Sequence, residues 1–262
     1  MPEILKTLVH KKNITLTASG DHAIRSVLKA INKDKILIQD QGGWLTYKDY
    51  AKKQKLNVIE LKTDYGIIDL QDLERNADEK SALLVNSLTG YCAEQPMKEI
   101  QEICKTKKSL LINDVSGSIG TENAKFGDII LGSFGKDKPV NLHYGGFIAT
   151  DEEIKFEGQF DETKFEALEK ELTILKEKLN EWNKITNKIK QDLATFDIIH
   201  RDKKGINVIV KFNNEQEKQQ LTDYCNKNNY EYTVCPRNIR VEENAISIEV
   251  KRHGTKTTRI NG

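Results

Sequence analysis

Apolar runs and amphipathic stretches alternate along the first 115 residues, and that alternation restricts the fold more than any other feature. Short strand-like runs stand at 14–17, 35–39 (KILIQ), 58–61, 82–86 (ALLVN) and 109–114 (SLLIND). Helix-like stretches lie between them, at 18–31, 46–55, 70–76 and 96–105. The first carries Ala23, Ile24, Val27, Leu28 and Ile31 at helical spacing. Strand–helix–strand units of this kind pair their strands in parallel through right-handed crossovers. The expected fold is therefore α/β, with a mainly parallel sheet flanked by helices. Such sheets bind ligands beyond the carboxyl ends of their strands, which is where Ser19, Trp44, Ser87 and Asp114 fall.

Local chemistry at those ends points the same way. Ser19 or Asp21 can cap the helix that follows, and the Ser19-Gly20 turn before it offers bare amides and a positive dipole end to a phosphate. Pro96 suits the first position of a later helix. The 109–114 run ends on the carboxylate of Asp114 and passes into a turn of small residues. Downstream, residues 126–150 (FGDIILGSFGKDKPVNLHYGGFIAT) read as a strand at 129–131, a turn with Ser133, the lysines Lys136 and Lys138, the pair Gly145-Gly146, and a strand at 147–149. A lysine just past a buried strand, with a hydroxyl before it and glycines after it, suits a carbonyl cofactor held as an imine, which forms only on the free amine. The plainer alternative is two solvated lysines in a hairpin loop.

Gly127, Asp128, Ile129, Ser133, Phe134, Lys138, Gly145 and Gly146, with Asp114 upstream, form a pattern that resembles the sugar aminotransferase (DegT/StrS-type) family. That family lies among the fold-type-I enzymes dependent on pyridoxal phosphate (PLP), within the aspartate aminotransferase superfamily. The likeness covers roughly residues 15–150. It implies the major domain of a PLP-dependent transferase, with pyridoxal 5'-phosphate as cofactor. Its register selects Lys138 over Lys136 as the lysine of the internal aldimine. It casts Asp114 as the acid that keeps the pyridine nitrogen protonated, so that the ring can absorb carbanion electrons. Ser133 and the amides of Ser19, Gly20 and Asp21 become the phosphate cup. Trp44 becomes the residue stacked on the ring, worth about 1 kcal/mol beyond area burial. Ser87 and Thr89, in the small-residue loop after 82–86, are candidates to touch the ring oxygen or the substrate. Arg237, Arg240 and Arg252 are candidates, by position, for a substrate carboxylate. Two positions depart from the family: Asp21 replaces a threonine, and Gly117 stands where Gln or His is common. The chain is also shorter than the family's usual length.

Beyond residue 160 the pattern changes. Phe165, Leu168, Leu172, Leu175, Leu179 and Trp182 recur at alternating steps among Glu and Lys, which predicts one continuous amphipathic helix over 160–196. A heptad dimer is one use for it; a long connecting helix between two domains is the other. Strands at 206–212, 230–234 and 245–250 and a helix at 215–228 then build a small C-terminal α+β domain. The expected division is a large PLP-binding α/β domain over 1–158, then the connecting helix and small domain over 159–262, with 254–262 as a disordered tail.

Charge and cysteine usage bear on partners and location. The 41 basic and 40 acidic residues leave a net charge of +1, so no global field recruits nucleic acid or a membrane surface. No apolar run approaches a membrane span, and the first residues lack the apolar core and cleavage site of a signal peptide, which points to the cytoplasm. Cys92, Cys104, Cys225 and Cys235 show no ligand spacing, so reduced thiols and no metal site are expected. By the resemblance, the reaction is transfer of an amino group from a small-molecule amino acid to a keto compound, in a homodimer. Two alternatives stay open. One is PLP-dependent sulfur, selenium or tRNA-linked amino-acid conversion, which needs a reactive cysteine near Lys138, with Cys92 as the candidate. The other is a non-catalytic PLP-fold partner subunit.

Overall fold

Seven strands form the central sheet of the protein, whose computed structural model describes residues 3–253. The tail expected at 254–262 lies outside the described residues. In chain order the strands are β1 (Asn13–Thr17), β2 (Lys35–Gln39), β3 (Asn57–Leu61), β4 (Ser81–Asn86), β5 (Leu110–Asp114), β6 (Ile129–Ser133) and β7 (Gly146–Thr150). Across the sheet they run β1-β7-β6-β5-β4-β2-β3. From β6 to β3 every pairing is parallel, and Asp114 stands opposite Leu131 on one side and Asn86 on the other. β7 alone reverses, pairing antiparallel with both β6 and β1. A direct loop can join antiparallel neighbours, whereas each parallel step needs a crossover, and the helices supply these.

A short helix, α1 (Glu3–Val9), precedes β1, and the crossover helices cover both faces. On one face α2 (Gly20–Ala30) and α3 (Thr46–Lys53) pack Ala23, Ile24, Val27, Leu28 and Tyr47 against Ile36, Ile38, Leu84 and Ile112. On the other, α4 (Leu70–Asn76) and α5 (Met97–Lys107) pack Leu73, Met97 and Ile100 against Leu37, Leu83, Val85 and Leu111. Covered on both faces, β4 is buried along its whole length, which is why its sequence is a continuous apolar run rather than an alternating one. Pro96 is the cap residue just before α5.

The helix predicted over 160–196 is present with a break. It divides into α6 (Phe165–Thr173) and α7 (Leu175–Asp192). Thr173 Oγ1 donates to the carbonyl of Glu169 at 2.8 Å, a back-bond of the kind that bends helices. Leu168, Leu172 and Leu175 pack with Val115, Ile119 and Val140 near the sheet, while Trp182 and Ile189 pack with Val208, Val210, Ile246 and Ile248. The pair thus reaches from one apolar cluster to another, the placement expected of a connecting helix. The second cluster lies on a three-stranded antiparallel sheet, β8 (Val208–Lys211), β9 (Tyr232–Val234) and β10 (Ala245–Ile248), ordered β8-β10-β9 and covered by α8 (Glu215–Lys227). No helix among the described residues is long and apolar enough to cross a membrane.

Candidate active site

At the carboxyl end of β5 the chain places a buried carboxylate with fixed partners. Asp114 Oδ1 accepts from the Ser116 amide at 2.9 Å, and Oδ2 accepts from the Tyr47 hydroxyl at 2.6 Å. Tyr47 reaches it from α3, and burial, followed by the charge of Asp114, pushes the phenol well above its ordinary range. Tyr47 therefore stays a donor. A carboxylate oxygen accepts more than one hydrogen bond, so Asp114 keeps capacity toward the open side.

Two residues past β1 the first helix of the sheet begins. Ser19 caps α2, accepting from the His22 amide at 3.1 Å. The Gly20 and Asp21 amides, in the first turn, have no intrahelical carbonyl to reach, and the helix dipole makes that end positive. Glycine at position 20 is a packing requirement, since a Cβ there would lie 2.6 Å from Ser133 Cβ at the end of β6. The same convergence recurs at Gly146, where a Cβ would lie 2.6 Å from the Gly132 carbonyl and 2.9 Å from the Gly20 amide. The start of α2, the end of β6 and the start of β7 are thus pressed together, and their amides and hydroxyls open on one place. Ser133 Oγ accepts from the Gly135 amide at 3.1 Å, and the Ser133 amide donates to Ser116 Oγ at 2.9 Å.

Asp21 is engaged sideways. Its Oδ1 accepts from Trp44 Nε1 at 2.9 Å and from Thr46 Oγ1 at 3.1 Å, so the carboxylate fixes the indole. Lys138 Nζ donates to the Tyr91 hydroxyl and lies 4.8 Å from the Tyr91 ring centroid and 5.2 Å from that of Trp44. A cation between two aromatic faces is electrostatically favoured.

These groups enclose one cavity of about 310 Å³, at the lower end of the range for small-molecule sites. Ser19, Gly20, Asp21, Trp44, Asp114, Ser133 and Lys138 all line it, joined by Asn86, Tyr91, Ser116, Lys136 and Ile239. The other five candidates lie elsewhere, and of these Arg237 is exposed and outside the cavity lining. Ser87 is buried with its hydroxyl 2.6 Å from that of Ser118, and Thr89 accepts from Gln39 Nε2 at 3.1 Å. Arg240 is buried in a two-point pair with Glu249, both bonds at 2.9 Å. Arg252 pairs with Asp137 at 3.0 Å and Glu231 at 3.5 Å. Cys92 is buried, outside the cavity lining, and burial pushes its thiol up to about 12. The sulfur-chemistry alternative therefore has no activated thiolate at Cys92. No group of acidic, histidine or cysteine side chains among the described residues is arranged to hold a metal ion.

The donor set fits a phosphorylated aromatic aldehyde. An amine and a carboxylate share one cavity, with a flat indole on its wall and a cup of amides and hydroxyls at a helix N-terminus. Tyr47 and Tyr91 were not singled out from sequence. The available signal for Tyr47 was its place in an amphipathic helix, because a buried tyrosine hydroxyl demands a partner.

Residues 3–160 match the profile of the DegT/DnrJ/EryC1/StrS aminotransferase family, and residues 176–260 match that of the MJ1341 family C-terminal domain. Among solved structures, Helicobacter pylori PseC, an aminotransferase involved in the biosynthesis of pseudoaminic acid, aligns with a TM-score of 0.72 at 15% identity, over 94% of this chain and 84% of that one. NtdA from Bacillus subtilis, with bound cofactor PMP, gives 0.71 at 17% identity over 94% and 70%. Escherichia coli GDP-4-keto-6-deoxy-D-mannose-3-dehydratase, with bound hydrated PLP, gives 0.70 at 17% identity over 95% and 87%. At such identities the likeness is one of fold. A stretch of 107 residues is 31% identical to a probable glycine dehydrogenase (decarboxylating) subunit 1 of Geobacillus sp. (strain WCH70), covering 38% of this chain and 23% of that protein. The match thus spans less than a quarter of that relative's length.

Proposed function

The chain belongs to the DegT/DnrJ/EryC1/StrS aminotransferase family, and from that premise we propose that it is a PLP-dependent aminotransferase whose covalent lysine is Lys138. One observation supports this most directly: Lys138 and Asp114 line the same cavity, together with Trp44 and the α2 anion cup. PLP, when bound, supplies an aldehyde that can take up an amine and a ring that can accept carbanion electrons. The chain's own groups divide the remaining work. Lys138 Nζ is the amine that tethers the cofactor. Once displaced by an incoming amine, it would serve as the base that carries the proton between the substrate's amine-bearing carbon and the carbon of the cofactor's aldehyde group. Asp114, held by Ser116 and Tyr47, would hold a positive ring nitrogen. The Gly20 and Asp21 amides and the Ser133 hydroxyl would hold the phosphate, and Trp44, fixed by Asp21, would lie on the ring. Lys136 lines the same cavity and brings a second basic side chain to it. The substrates are a small-molecule amino donor and a keto acceptor, and the working unit is a homodimer.

The test is chemical. Protein incubated with PLP, reduced with borohydride and digested should carry the pyridoxyl mass on Lys138. Lys138→Ala should lose the label although Lys136 remains. Labelling at Lys136 instead would remove the assignment. The curated relative's designation as subunit 1 supports a second reading, a PLP-fold partner subunit that does not carry the cofactor. A folded protein left unlabelled at Lys138 would select that reading.

A further inference from the structure

Tyr91 touches Lys138 on one side and the C-terminal sheet on the other, and the roles assigned above leave it without one. Its hydroxyl accepts from Lys138 Nζ. Against its ring lie Lys251 Nζ at 3.8 Å, Arg240 Cζ at 4.8 Å and Lys138 Nζ at 4.8 Å from the centroid. Its carbonyl accepts from the amides of Ile206 at 2.8 Å and Asn207 at 2.9 Å. Its backbone is left-handed, with φ of 63°, directly after Gly90 at 55°. A bulky residue keeps that conformation only when its surroundings impose it.

The imposing groups come from two directions. From the C-terminal part, Glu249 takes two hydrogen bonds from Arg240 and lies 3.7 Å from Lys251, so two cations share one carboxylate beside the ring. From the loop after β5, Gly117 leaves the space the ring fills. A Cβ at 117 would lie 2.9 Å from Tyr91 Cδ1 and 3.0 Å from Cε1. Tyr91 is only 4% exposed, and its oxygen is therefore a fixed point. Lysine, by contrast, is a point charge on a flexible four-carbon stem, and a fixed acceptor narrows where its amine can stand.

We infer that Tyr91 is the positioning residue for Lys138, and that the Arg240–Glu249–Lys251 cluster and the vacancy at Gly117 hold Tyr91 in place. The C-terminal part of the chain thereby sets the position of the reactive amine. This deepens the proposed function and rests on Lys138 being the covalent lysine.

Two probes separate positioning from mere cavity shape. PLP can bond to the lysine; pyridoxamine phosphate, already aminated, can only occupy the cavity. Tyr91→Phe keeps the ring and its cations and removes one oxygen. Its rate of borohydride-trapped labelling at Lys138 should fall about tenfold or more, the size expected for loss of a charge-assisted hydrogen bond. Its affinity for pyridoxamine phosphate should stay within about twofold of wild type. Gly117→Ala pushes the ring while leaving the hydroxyl, and should slow labelling in the same selective way. Thermal unfolding of each variant confirms that it is folded. Labelling of Tyr91→Phe at the wild-type rate overturns the inference. So does a parallel loss of pyridoxamine phosphate binding, which would make Tyr91 a wall. If wild-type protein itself takes no label at Lys138, the proposed function falls and this inference falls with it.

Discussion

Lys251→Met should stabilise this protein at neutral pH, and the gain should fade as the pH rises. Lys251 is 4% exposed. It faces the Tyr91 ring, the Glu249 carboxylate at 3.7 Å and the positive charges of Arg240, Lys138 and Arg252. Burial, then repulsion from Arg240, outweighs the attraction of Glu249 and brings the ammonium from the ordinary 10.5 down to about 7. At about 1.4 kcal/mol per pH unit, holding that charge in the folded state costs roughly 5 kcal/mol. Methionine gives back the cation–ring contact, worth about 1–2 kcal/mol, and local relaxation reduces the cost further, so a net gain of about 2 kcal/mol is expected. Glu249 is not orphaned, because Arg240, Asn207 and Ser247 still donate to it. The sign follows from proton counting. Between about 7 and 10.5 the unfolded chain carries a proton at 251 that the folded chain has shed, so wild-type stability climbs with pH across that window. Below it both states are protonated and the whole cost is present. Urea unfolding of both proteins at about pH 6 and about pH 9.5 should therefore show a wide gap that narrows. A variant less stable than wild type at the lower pH, or a gap of equal size at both, refutes the account of this cluster.

Asp114→Ala should both abolish aminotransfer and cost about 1–3 kcal/mol in stability, because it leaves the buried Tyr47 hydroxyl without its acceptor. Asp114→Asn keeps an oxygen to accept from the Ser116 amide and turns its NH2 to the Tyr47 oxygen, which can accept in place of donating, so by melting temperature it should stay closer to wild type than Asp114→Ala while turnover falls about a hundredfold or more. Gly146→Ala should lower the urea midpoint by the equivalent of about 3 kcal/mol, since its Cβ would meet backbone on two sides, the Gly132 carbonyl at 2.6 Å and the Gly20 amide at 2.9 Å. All four cysteines are buried, and burial pushes the thiols of Cys92, Cys104 and Cys225 up to about 12; a thiol reagent should find none in the native protein and all four after unfolding.

What could be read in advance follows from where physical constraint is local. KILIQ, ALLVN and SLLIND became β2, β4 and β5 within a residue at either end, because strands covered on both faces must be apolar throughout. The seven residues expected to hold the cofactor line one cavity because parallel topology gathers strand ends whatever the side chains do. Interactions across the fold were not legible. The break at Ile174 stands beside a Thr173 hydroxyl bonded back to the Glu169 carbonyl, and neither is visible in an apolar period that runs straight through. Arg240 looked available as a carboxylate clamp, but Glu249, on the segment after β10, takes its guanidinium. Tyr47 contacts Asp114 across 67 residues, and no spacing rule joins them.

The two departures from the family pattern become intelligible once their neighbours are seen. Asp21 replaces a threonine in the phosphate cup and brings a negative charge to it. The carboxylate is turned onto Trp44 Nε1 and Thr46 Oγ1, so it fixes the stacking indole, while the amides of the helix start remain available to an anion. Gly117 replaces a larger side chain, and Tyr91 takes the space and brings a hydroxyl to Lys138. In each case an aromatic residue of the cavity is braced from outside its own loop. Trp44 is braced by the first turn of α2, and Tyr91 by cations of the C-terminal part. The consequence is directional. In this chain the cavity wall at Tyr91 depends on the segment from Arg240 to Lys251 being docked, because Tyr91 would otherwise face no cation but Lys138 and lose part of what holds its left-handed backbone.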